Sequence, residues 1–137
     1  MDQIVKDYSP ENLEQLFDAQ FLLNHPLFSV LAKKTEMKWL VIVPKEELKQ
    51  NYEYSSKLYG EIHRLADHIQ ENGFGGHFNL AKIGNKHPNY HIHLVFRDEQ
   101  DEAWPDAIWC HEPLKPSEET SSKLDKICQN FITSNKS

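Results

Sequence analysis

The chain has 137 residues, 39% of them hydrophobic and 26% charged, which fits one globular domain with its own core and excludes a disordered chain. A formal charge of −6 argues against a partner such as long nucleic acid, which needs a basic face, but leaves room for a single nucleotide. No apolar run approaches the roughly 20 residues of a membrane span and Met1 to Asp7 lacks a signal peptide's apolar stretch, so a cytoplasmic protein with no membrane partner is expected.

Ser9-Pro10-Glu11 reads as a helix start, with Ser9 as cap, Pro10 where its missing N–H costs nothing, and Leu13, Leu16 and Phe17 along one face. Pro26 interrupts. Phe28–Ala32 and Lys38–Val43 then read as two strands joined as a hairpin by the polar Lys33 to Glu36, and Pro44 closes the second. Leu58, Ile62, Leu65 and Ile69 recur at helical spacing, and Asn72-Gly73 stops that helix. His63 and His68 lie on it and read as surface decoration.

Residues 78–83 form another candidate strand, 84–88 a loop, and 89–96 a strand of strict alternation. Alternation places Tyr90, Ile92, Leu94 and Phe96 on one face and Asn89, His91, His93 and Val95 on the other. An irregular stretch follows, with Asp98, Glu99, Asp101 and Glu102, then Trp104-Pro105 and Trp109. Leu124, Ile127, Cys128 and Phe131 mark a final amphipathic helix over 117–134. The expected class is α+β, an antiparallel sheet with helices packed on one side, forming a single domain over 1–137 whose core spans about 9–110. Cys110 and Cys128 are too few for a disulfide or zinc framework and are expected to be reduced thiols.

His91 and His93 share a strand face, which puts their rings about 6 to 7 Å apart and lets them address one ligand. Histidines of this kind are often only surface groups. A second reading is a metal site of the cupin kind, using His-x-His with His77 or His87 nearby. The spacing of the flanking Gly and Glu is one residue too long for that pattern, and two long helices disagree with an all-β barrel.

The third reading is a resemblance. Asn89-Tyr90-His91-Ile92-His93-Leu94-Val95 resembles the signature of the histidine-triad family, with the first histidine replaced. Trp39 to Lys45, Asn79, Gly84 and Arg97 fall where that family places equivalents, so the likeness covers most of the chain. It is similar above all to a bacterial branch that carries Gln in place of the first histidine and ends in a Trp-Pro and Trp tail, matched here by Trp104-Pro105 and Trp109.

The resemblance implies a nucleotide substrate attacked at its α-phosphorus by His91, a transient nucleotidyl-histidine, and its hydrolysis by water. It implies that Asn79, Asn89 and His93 bind the substrate, that no cofactor or metal is needed, and that two chains pair as a homodimer with a continuous sheet. Three features depart from the pattern. Asn89 cannot donate a proton to a leaving group as a histidine can. The loop 84–88 lacks a hydroxyl, and Lys33-Lys34 stands where the family recognises ribose with an acidic or amide side chain. The lysines read as a solvated hairpin end, with attraction of polyphosphate as the alternative. Trp39, in mid-strand, reads as core, while Trp104 and Trp109 read as stacking surfaces for a base or a subunit, or as packing of the tail.

Overall fold

A computed structural model of the chain describes residues 4–83, 89–110 and 114–134. The expected loop over 84–88, with Gly84 and His87, lies outside the described residues, as does the side chain of Cys110. Ser9 caps helix α1 (Pro10–Phe17) with its hydroxyl accepting from the Asn12 N–H at 3.4 Å, and Asp18 ends the helix in the left-handed region at φ 49°. Leu13 and Phe17 are the residues it buries.

Directly after it comes a strand that the alternation does not predict, β1 (Gln20–Asn24). Its pairing with β2 (Phe28–Ala32) shifts register between Phe21 and Leu23, so consecutive Leu22 and Leu23 are both buried and the period of two is lost. The predicted hairpin of β2 with β3 (Lys38–Pro44) is present, with Phe28 opposite Pro44 and Ala32 opposite Leu40.

Helix α2 (Tyr52–Glu71) buries Leu58, Ile62, Leu65 and Ile69 completely, as the spacing requires. It ends on Gly73 at φ 96°, where the Gly73 N–H bonds Gln70 O at 3.1 Å and the Phe74 N–H bonds Ile69 O at 3.4 Å. That is the paired closure a left-handed glycine permits. Strand β4 (His77–Ala81) and strand β5 (Ile92–Arg97) follow; regular pairing of β5 starts at Ile92, so Asn89 and His91 precede the strand. Helix α3 (Glu119–Ser134) buries Leu124, Ile127, Cys128 and Phe131. Cys128 is a free thiol that burial pushes up to about 12.

The five strands form one antiparallel sheet in the order β1-β2-β3-β5-β4. The long helices α2 and α3 cover one face, packing on Phe28, Val30, Leu40, Ile42, Ile92, Leu94 and Phe96. His68 ties them together by its Nε2–H donating to Ile127 O at 3.0 Å, so it is a structural link and not decoration. The other face is shared: α1 covers Leu31, Val41 and Val43, while Met37, Val95, Ala103 and Ile108 pack under the tail. Between these two covers lies the polar strip that carries the histidines. Among the described residues no helix is long and apolar enough to cross a membrane.

Candidate functional site

The strip is laid out by sheet register. His93 stands between Val41 of β3 and Ala81 of β4, and Asn79 lies opposite Val95, one diagonal step from His93. The His91 and His93 ring centroids are 4.9 Å apart with the planes at 85°, closer than strand spacing suggests because His91 sits before the regular strand. Phe17 of α1 meets the His91 ring at 5.3 Å.

The second nitrogen of each ring is held by a group that can play one role only. The His91 Nδ1 lies 2.8 Å from Asn89 O. A carbonyl only accepts, so Nδ1 carries the proton and the neutral ring has its lone pair on Nε2. At His93 the relation is reversed: Trp39 Nε1–H donates to His93 Nδ1 at 3.0 Å, so the proton is on Nε2. Burial, together with the nearby His91 and Lys33, lowers His93 to about 4, which makes it neutral at pH 7. One ring therefore has a lone pair and its neighbour an N–H donor.

Arg97, 2% exposed, organises the other end of the strip. Its Nε donates to Asp101 Oδ2 at 2.7 Å, one terminal nitrogen donates to Asp101 Oδ1 at 3.1 Å and Asp106 O at 2.7 Å, and the other donates to Asn79 Oδ1 at 2.8 Å. A guanidinium only donates, so Asn79 turns its oxygen to Arg97 and its NH2 towards His77, 3.5 Å away. The Trp104 ring stacks 5.6 Å from the guanidinium carbon. Burial raises the Asp101 carboxyl, but the Arg97 hydrogen bonds and charge outweigh it and hold it below its usual range.

Two expectations are corrected. Trp39 is half-buried and packs only on the edge of the Met37, Val95, Ala103 and Ile108 cluster; its ring lies in the strip between the His93 ring at 5.6 Å and the Lys33 ammonium at 5.7 Å, where its N–H finds an acceptor. Lys33 is not a solvated hairpin end. Its ammonium donates to the Phe17 carbonyl at the C-terminus of α1, where free carbonyls favour a cation, and burial keeps it below its usual value against the pull of Asp18. Lys34 is exposed. Of the predicted substrate ligands, His93 and Asn79 share the strip with His91, whereas Asn89 contributes its backbone carbonyl to His91.

Both tail tryptophans reach the strip, with Trp109 5.5 Å from the His93 ring and Trp104 6.1 Å from the His77 ring. They are about a third exposed. Asp101 was not singled out by pattern; the one signal was a carboxylate four residues after a strand-end arginine. Among the described residues no three His, Cys, Asp or Glu side chains gather as a metal site, and the open sheet with two long helices overturns the cupin alternative.

No protein-family model matches the sequence, and no curated protein matches it significantly. Solved structures do. A histidine triad protein of Bradyrhizobium japonicum is 26% identical with a TM-score of 0.75, covering 88% of this chain and 94% of its own. One from Marinobacter aquaeolei is also 26% identical, at TM-score 0.76 and the same coverage. In fold and over most of its length the chain is similar to these histidine-triad proteins. A third histidine-triad structure, from Sinorhizobium meliloti, is 19% identical with a TM-score of 0.70 over 96% of each chain and bears on the fold alone. In this sheet the motif strand β5 lies between β3 and β4, with Asn79 of β4 and the Trp-Pro and Trp tail on its polar side.

Proposed function

We propose that this protein is a histidine-triad nucleotide hydrolase or transferase acting on nucleoside polyphosphates through His91. The observation that carries the reading is the His91 Nδ1–H bond to Asn89 O, which gives Nε2 the lone pair, beside a neutral His93 whose ring centroid is 4.9 Å away. His91 Nε2 attacks the α-phosphorus; a P–N bond forms as the P–O bond to the leaving phosphate breaks. Water then attacks the same phosphorus, the P–N bond breaks, and the imidazole is restored. Asn79 donates an amide N–H to a phosphate oxygen, and its orientation by Arg97 supports that role. His93 donates its Nε2–H to the nucleotide, and Asn89 hydrogen-bonds it without supplying a proton.

Because Asn89 is no acid, the leaving group has to depart as a stable anion. Dinucleoside polyphosphates are therefore the expected substrates and phosphoramidates, whose amine must be protonated, the poorer ones. Incubation with a labelled dinucleoside polyphosphate should yield an acid-labile adduct on His91 that His91→Ala lacks, with turnover reduced at least ~10³-fold. Turnover unchanged in that variant, or faster turnover of a phosphoramidate, refutes the mechanism. The missing acid at Asn89 favours a second reading, a nucleotide-binding protein with little turnover; binding without product would select it. The same proposal has one domain per chain, two chains joined through their sheets and a cytoplasmic location, and β4 is one of the sheet's two outer strands. Sedimentation analysis checks the dimer.

A further inference from the structure

Two adjacent imidazoles can turn like or opposite atoms to a ligand, and the partners of their remaining nitrogens decide which. At His91 that partner is the Asn89 carbonyl; at His93 it is an indole N–H from a neighbouring strand, with Trp39 Nε1 at 3.0 Å from Nδ1. We propose that Trp39 is the positioning residue of the site: its indole N–H holds His93 in the Nε2–H form, so that the histidine pair offers one phosphoryl group both a nucleophilic lone pair and a hydrogen-bond donor. The inference rests on the nucleotide reading for its meaning, but its physical content does not need turnover.

The surroundings of His93 reinforce the arrangement. Val41 and Ala81 flank it across the sheet and contribute no charge, and Trp109 of the tail lies against its ring at 5.5 Å. Among the described residues, the groups of changeable or fixed charge that act on it are His91, before the strand, and the Lys33 ammonium, from the β2–β3 hairpin; both oppose a second proton on His93. That proton would have to enter at Nδ1, the atom the Trp39 N–H occupies. Lys33 is itself anchored by the Phe17 carbonyl and sits on the Trp39 ring. Trp39 thus determines which nitrogen of His93 carries hydrogen and occupies the atom that a second proton would have to reach.

The test is the ring-nitrogen spectrum of His93 in the full chain, labelled with nitrogen-15, from pH 7.5 to 3.5. The wild-type protein should show the Nε2–H form with no averaging against the other tautomer, and a titration midpoint near 4. In Trp39→Phe, which keeps a ring but loses the N–H, the other tautomer should appear and the midpoint should rise by about one unit, the size of one lost hydrogen bond to the neutral form. Trp109→Phe is the control, because it trims an indole whose contact with the same imidazole is ring against ring. It should leave the tautomer and midpoint in place.

An Nδ1–H form in the wild-type protein overturns the proposal without any variant, so a Trp39→Phe chain that fails to fold does not rescue it. An unchanged midpoint in folded Trp39→Phe, or an equal rise in Trp109→Phe, overturns it as well, the latter because lost burial would then be the cause. These spectra decide the matter whether or not a nucleotide is hydrolysed. A protein with the expected spectra and no turnover would retire the hydrolase reading and keep the role of Trp39.

Discussion

Replacing Arg97 by Met keeps most of the side chain's volume and removes every one of its donors. The side chains of Arg97 and Asp101 are 2% and 9% exposed, and the substitution leaves the Asp101 carboxylate, Asn79 Oδ1 and the Asp106 carbonyl without the guanidinium they bond. Breaking one side of a buried ion pair costs about 3–5 kcal/mol, because the remaining charge stays desolvated. Against a total stability of about 5–15 kcal/mol this is a large share. It corresponds to a melting point lower by roughly 10–20 °C for a chain of this size. The neighbouring pair Lys38–Asp98 gives the contrast: it is 3.1 Å long but 25% and 40% exposed, so Asp98→Asn should cost no more than ~1 kcal/mol. Urea unfolding followed by circular dichroism, with the slope checked for constancy, measures both. A loss below about 1 kcal/mol in Arg97→Met, or equal losses in the two variants, would show that burial does not set the value of these charges.

Two glycines should respond in opposite directions to alanine. A Cβ on Gly75, at φ 72°, would lie 2.9 Å from the Arg97 carbonyl, so Gly75→Ala is expected to cost about 1–3 kcal/mol; Gly60 in α2 has nothing within 4 Å, and Gly60→Ala should add ~0.5–1 kcal/mol. The urea midpoints check both, and a neutral Gly75→Ala would contradict the close approach. Acid should weaken the fold in two stages. His93 titrates at about 4 folded against 6.5 unfolded, and burial lowers His25 as well, so the unfolded chain takes up protons first; stability is full above about pH 6.5 and declines as pH falls towards 4. Asp101, also held low, contributes above its ordinary value of 3.8 and loses that contribution only as pH falls through its lower folded value. Urea midpoints that stay level from pH 7.5 to 4.5, or a decline as steep in His93→Gln as in the wild-type protein, would count against this account.

Local pattern determined much of this protein. The helical spacing of Leu58, Ile62, Leu65 and Ile69, the Ser9-Pro10 start, the glycine stop after α2 and the alternation of Ile92, His93 and Leu94 each reflect a preference set by a few consecutive residues, and each appears in the fold. The histidine-triad likeness was legible for the same reason, because its residues stand in fixed order along the chain. Strand β1 was not, since the bulge at Phe21 to Leu23 breaks the period that would reveal it.

Tertiary structure alone decided the chemistry of the polar strip. Trp39 reads as core and Lys33 as solvated until β3 is laid beside β5 and α1 is folded over the hairpin, 54 residues separating Trp39 from His93 in the chain. Arg97 and Asn79, 18 residues apart, likewise meet only through sheet register. Residue types and spacing specify which nitrogens and oxygens are available; which of them donates, accepts or loses its water depends on partners brought together from distant parts of the chain.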